Sequence, residues 1–233
     1  MDLQPFFKGK TVLAVGDSTV RETFYHMIYF VNDRYPTPHG HYPPPDFTED
    51  YDGVCKTWRV EDADKKACVR DWNLNGTRWM LEFIGHLTDE RKTHLQDSLR
   101  ELHVPIDMVV FGYSAWPATH QPGDRHYFEM NLWWLATFLR SISGDDTPIF
   151  WLGSPHDSQY EYQNTVIQEV LGFHQQDNTQ TVRNRTIYGG MGAFSLTPIE
   201  RYGLGSRRDN FHFHSPSYEL FAQMIFNWFC RKE

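Results

Sequence analysis

Short apolar runs rich in Val, Ile, Leu and Phe recur in this 233-residue chain at 11–15, 79–84, 107–111, 147–152 and, more weakly, 185–188. A run that is apolar at consecutive positions has no polar face to turn to water, so it must be covered on both sides. Amphipathic segments follow most of these runs, and helices packed on both faces of a parallel sheet supply that cover. The pattern predicts an α/β protein, a three-layer α/β/α sandwich around a mainly parallel five-stranded sheet. The length suits one domain, 1–233, and is short for two independent catalytic domains.

Helical stripes fall between the runs. Val20, Phe24, Met27, Ile28 and Val31 share one face, as do Leu95, Leu99 and Leu102, and then Leu132, Leu135, Phe138, Leu139 and Ile142. Tyr162, Val166, Ile167 and Val170 mark another helix. Ser215-Pro216 places a cap and a proline at the start of a last helix carrying Phe221, Met224, Ile225 and Trp228. The stretch 36–68 breaks the rhythm with Pro36, Pro38 and Pro43-Pro44-Pro45. It reads as an irregular insertion, either a plain surface loop or a lid over a site. Gly189-Gly190-Met191-Gly192 does not open a helix, so it is a turn and not a phosphate cradle.

With 22 basic against 30 acidic residues and no long Lys/Arg run, nucleic acid is an unsuitable partner. No apolar stretch reaches the roughly 18–20 residues that span a bilayer, and Met1-Asp2-Leu3-Gln4-Pro5 lacks the pattern of a signal peptide. Cys55 and Cys68 could bridge in an oxidising compartment, whereas in a reducing one these two and Cys230 are thiols. Asn75-Gly76-Thr77 and Asn184-Arg185-Thr186 match the N-glycosylation pattern and lean toward the secretory route, with the cytoplasm as the alternative. Eight Trp and an aromatic share of 16% serve either core packing or a carbohydrate-lining surface.

The chemistry centres on Gly16-Asp17-Ser18, where the first apolar run gives way to the first helix, and on Asp209-x-x-His212, just before the last. A serine hydroxyl is a weak nucleophile unless a base withdraws its proton and a third group orients that base. Ser18, His212 and Asp209 can fill those roles. At the turn from a parallel strand into a helix, Ser18 would stand at the carboxyl edge of the sheet, beside amides that favour a developing anion. Each residue also has a plainer reading: Ser18 as a helix cap, Thr19 with Glu22 as a capping box, His214 as the competing base. No Cys or carboxylate cluster at ligand spacing accompanies the histidines, so no metal is expected.

These residues resemble the SGNH (GDSL) hydrolase superfamily, and Arg21, three residues after the serine, resembles its PC-esterase branch. The likeness is greatest to the luminal catalytic domain of eukaryotic sialate and capsule-polysaccharide O-acetyltransferases. It runs through Phe24-Tyr25, the 109–116 stretch ending in Trp116, Ile149-Phe150-Trp151-Leu152 and Asp209-x-x-His212. The resemblance implies an SGNH-like fold, catalytic Ser18, Asp209 and His212, no resident cofactor, and an acetyl donor such as acetyl-CoA. Typical members complete their oxyanion hole with a glycine and an asparagine. Gly85 is the candidate glycine, and Ser114 stands near where the asparagine is missing. The Ser18 amide with Arg21 or a group near Ser114 is then the expected substitute, and a guanidinium offers two fixed donors. The expected activity is serine-dependent O-acetyl transfer to carbohydrate hydroxyls. A carbohydrate acetyl esterase and a non-catalytic glycan-binding domain are the alternatives.

Overall fold

The computed structural model describes residues 3–32, 69–85, 87–100, 103–113, 124–152, 166, 169 and 215–230. Elements are labelled in chain order among these residues: α1 (Gln4–Phe7), β1 (Thr11–Gly16), α2 (Ser18–Val31), β2 (Val69–Leu74), β3 (Thr77–Phe83), α3 (Asp89–Arg100), β4 (Met108–Gly112), α4 (Arg125–Ser143), β5 (Ile149–Trp151) and α5 (Ser215–Phe229). The five strands form one sheet in the order β2-β3-β1-β4-β5. β1 pairs in parallel with β3 and β4, and β4 with β5, while β2 and β3 form an antiparallel hairpin.

Every residue of β1 is buried, and alternate side chains leave it for opposite faces. Val12 and Ala14 pack with Phe24, Met27, Ile28, Phe221 and Ile225, so α2 and α5 cover one face. Leu13 and Val15 pack with Leu95, Leu99, Leu132, Leu135 and Leu139, so α3 and α4 cover the other. The expected α/β architecture, with helices on both faces of a mostly parallel sheet, is therefore present. The anticipated stripe residues whose side chains are described are buried or partly buried, including Val20, Phe24, Met27, Ile28 and Val31 on α2, while the Trp228 side chain lies outside the described set. Val166 is helical and buried as expected, whereas Leu102, Tyr162, Ile167 and Val170 lie outside the described residues.

The fifth described strand is not one the apolar runs announce. β2 alternates Trp72 and Leu74 with the polar Asp71 and Asn73, and Asn75-Gly76 turns it into β3 with φ of 53° and 80°. Those two left-handed residues are what a two-residue hairpin turn requires, and Asn-Gly adopts it most readily. The tripeptide at 75–77 thus has a structural role independent of glycosylation: Asn75 makes the turn, and the Thr77 hydroxyl donates to the Phe7 carbonyl at 2.8 Å. The stretch 185–188, the insertion 36–68 with Cys55 and Cys68, and Gly189–Gly192 lie outside the described residues.

The aromatics serve mainly as core. Phe7 stacks on Trp79 at 5.9 Å and meets Phe226 and Phe229 at 5.2 Å each, tying α1 and α5 to the sheet. Trp72, Trp79 and Trp151 are all buried, although Trp133 on α4 is exposed.

Candidate active site

The glycine that opens Gly16-Asp17-Ser18 is there for space. A Cβ on Gly16 would stand 2.5 Å from both the Gly112 carbonyl and Val20 Cγ2. Gly16 and Gly112 are register partners on β1 and β4, and a Cβ on Gly112 would likewise meet Val20 Cγ2 at 2.8 Å and the Leu152 carbonyl at 2.7 Å. Two facing glycines therefore form a notch that seats Val20, and α2 lies close against the ends of its strands.

Asp17 makes the turn. It is buried, extended at φ −81° and ψ −168°, and its carboxylate accepts the Thr19 amide at 2.9 Å, while its carbonyl receives Arg21 N at 3.0 Å. Asp17 is thus the helix cap and Ser18 the first helical residue, so the plainer reading of Ser18 as the cap is not the one the fold uses. Nor does Thr19 with Glu22 form a capping box: Glu22 Oε1 accepts from Arg21 Nη2 at 2.8 Å. Because the Thr19 amide is committed to Asp17, it is no donor to an oxyanion. Ser18 itself is half-buried at the carboxyl end of β1.

The neighbouring strand ends converge on this turn. Ile84 N donates to the Gly16 carbonyl at 2.8 Å, so the chain leaves β3 beside the serine turn and carries the buried Gly85 one residue further. Gly16 pairs with Phe83 on one side and Gly112 on the other. Ser18, Gly85 and Ser114 are therefore each two residues beyond matched positions of three adjacent parallel strands. Ser114 itself lies outside the described residues, as do Asp209, His212 and His214.

Arg21 is one helical turn from Ser18, about 5–6 Å between Cβ atoms at that spacing. Its side chain is 19% exposed, which sets it apart from a solvated surface arginine. Besides Glu22 it meets Phe83, with its guanidinium carbon 5.8 Å from the ring centroid.

Tyr113, which sequence reasoning passed over, follows directly on β4. It is fully buried and stacks on Phe128 at 6.3 Å. Burial first, then Tyr127 and the negative charge of Asp17, push its ionisation well above the usual tyrosine range, so it stays neutral beneath the turn. Its position after the Gly112 notch is the signal that could have found it.

α5 is oriented toward the same end. His26 stacks on Tyr218 at 6.1 Å and Phe30 meets Phe226 at 6.3 Å, so α2 and α5 run in the same sense. The first turn of α5 therefore lies beside the middle of α2, with its N-terminal end facing the end where α2 begins. A serine at a strand-to-helix turn on the carboxyl edge of a parallel sheet, with a largely buried arginine one turn away, is an arrangement that can support acyl-transfer chemistry. Comparison of the chain with protein-family models and with curated proteins finds no match. Among the described residues no helix is long and apolar enough to cross a membrane, and no group of three or more His, Cys, Asp or Glu is arranged to hold a metal ion.

Proposed function

We propose that the protein is a serine-dependent O-acyltransferase that carries acetyl groups to carbohydrate hydroxyls through an acetyl-Ser18 intermediate. One observation carries this reading: Ser18 is the first residue of α2, directly beyond the carboxyl end of β1, with the capping role taken by Asp17. The resemblance of Gly16-Asp17-Ser18-x-x-Arg21 and Asp209-x-x-His212 to the O-acetyltransferase branch supports the choice of acyl group and acceptor.

In this mechanism Ser18 Oγ attacks the acetyl carbonyl while His212 accepts its proton and Asp209 holds the imidazole in the required tautomer. The charge that develops on the carbonyl oxygen is met by the Ser18 amide and the Arg21 guanidinium, with Gly85 at the same edge and Ser114 added as a candidate by the resemblance alone. The donor's leaving group departs with the proton from His212. A sugar hydroxyl then gives its proton to His212, attacks the acetyl-enzyme, and leaves as the acetyl ester with Ser18 restored. An acetyl donor such as acetyl-CoA is the co-substrate.

The test is the burst of p-nitrophenol from p-nitrophenyl acetate, measured for the wild type and for Ser18→Ala. A burst present in the first and absent in the second is expected, and equal bursts overturn the assignment of Ser18. Mass spectrometry of a glycan panel incubated with an acetyl donor then reads the acceptor. Gain of acetyl supports transfer; loss from acetylated glycans makes water the acceptor and the protein an esterase; glycan retention without turnover makes it a binding domain.

A further inference from the structure

Glu22 has no part in the chemistry just described, yet it is a carboxylate with a side chain only 6% exposed, four residues along α2 from Ser18. Glutamate is seldom buried this far unless a cation holds it. The cation here is Arg21, its immediate neighbour in sequence, at 2.8 Å. Adjacent residues on a helix point about 100° apart, so this bond forms only because both side chains bend toward one place. That place is bounded by Phe83, the last residue of β3, over whose ring the guanidinium lies at 5.8 Å. The guanidinium is thus fixed in its plane by a carboxylate and across its face by an aromatic ring.

Arginine carries a large rotamer entropy, and a donor that must first be ordered gives up part of its effect on a transition state. A carboxylate along one edge of the fork removes that freedom, and a guanidinium has five N–H donors distributed over its edges. Glu22 has a second neighbour that reports its direction. Tyr29, two turns further along α2, is pushed up to about 12 by its burial and then by the Glu22 charge. The carboxylate is therefore buried beside Arg21, and Tyr29 feels its charge.

We propose that Glu22 is the positioning residue of Arg21, holding its guanidinium against Phe83 one helical turn from Ser18. This rests on the reading of Ser18 as the acylated nucleophile. It makes Glu22 serve the reaction only through Arg21.

The test is a double-mutant cycle on the acylation rate, with KM read separately. Glu22→Gln keeps the shape and removes the charge, so kcat for p-nitrophenyl acetate falls about tenfold with KM little changed, a fraction of the 10²–10³ that a lost oxyanion donor costs. In an Arg21→Ala background the same change has no further effect beyond about twofold. Phe83→Leu, which leaves both charges in place, is the second arm and follows the same rule; it decides the matter if Glu22→Gln does not fold. An equal loss in both backgrounds, or no loss in either, overturns the positioning role. Full activity in Arg21→Ala also overturns it while leaving Ser18 in place, and a surviving burst in Ser18→Ala is instead the failure of the underlying reading.

Discussion

A single methyl group at Gly16 tests how α2 and its serine are held. In Gly16→Ala the new Cβ would lie 2.5 Å from the Gly112 carbonyl, 2.5 Å from Val20 Cγ2 and 2.9 Å from Val20 Cβ, where ordinary contact begins near 3.4 Å. Something must retreat by about 1 Å. The carbonyl belongs to β4, which is hydrogen-bonded to β1, and Val20 is wedged between two strands, so neither yields without breaking other contacts. Overpacking of a core costs about 1–3 kcal/mol, and the backbone contact puts this case at the upper end, about 3 kcal/mol. That corresponds to a fall in Tm of about 6–12 °C for a domain of this size. Val20→Ala in the same chain removes only the Cγ2 clash, so it restores part of the loss and not all of it. If α2 rather than β4 gives way, Ser18 moves with it, and a displacement near 1 Å can cost on the order of 10²-fold in rate. Urea unfolding and the p-nitrophenyl acetate burst measure the two effects. A Gly16→Ala protein with an unchanged unfolding midpoint refutes the packing argument outright.

Further outcomes follow from the same geometry. His212→Ala abolishes turnover while His214→Ala largely spares it, checked by steady-state kinetics; the reverse result moves the base to His214. His26 is buried, and burial lowers its pKa from 6.5 to about 4, so the folded protein resists a proton that the unfolded chain accepts. Stability is therefore full above pH 6.5, declines as the pH falls toward 4, and loses no more to this group below that, a total of ~3 kcal/mol at most. His26→Phe, which keeps the ring against Tyr218, flattens that slope in urea midpoints taken across the range; an unaltered slope shows that other groups cause it. Arg91 faces the fully buried Glu82 at 2.5 Å from α3, so Arg91→Met removes the cation from a carboxylate inside the protein and costs about 3–5 kcal/mol. Glu82→Leu added to it recovers most of that in thermal melts; a double variant as unstable as the single one would show that the charge is not the cause.

The parallel sheet, the helices on its two faces and the serine turn were legible because each depends on local pattern. A strand buried on both sides, such as β1, must be apolar throughout, and a helix such as α2 must repeat its apolar side chains every turn. The hairpin of β2 was written in the sequence as well, in the alternation before Asn75-Gly76, but an edge strand half exposed to water is a fainter signal than an apolar run. Asp17 against Ser18 as the cap was not decidable, since both residue types cap helices and only the backbone's turn selects between them. The Gly16–Gly112 notch and the seat of Arg21 beside Phe83 join residues up to about a hundred positions apart, brought to one edge by the order β3-β1-β4. The chain alone determined which side chains are available for the proposed acyl chemistry, because nucleophile, base and donor are properties of side chains. Tertiary structure decided which donors stand beside Ser18, because that depends on how closely α2 can approach the ends of its strands.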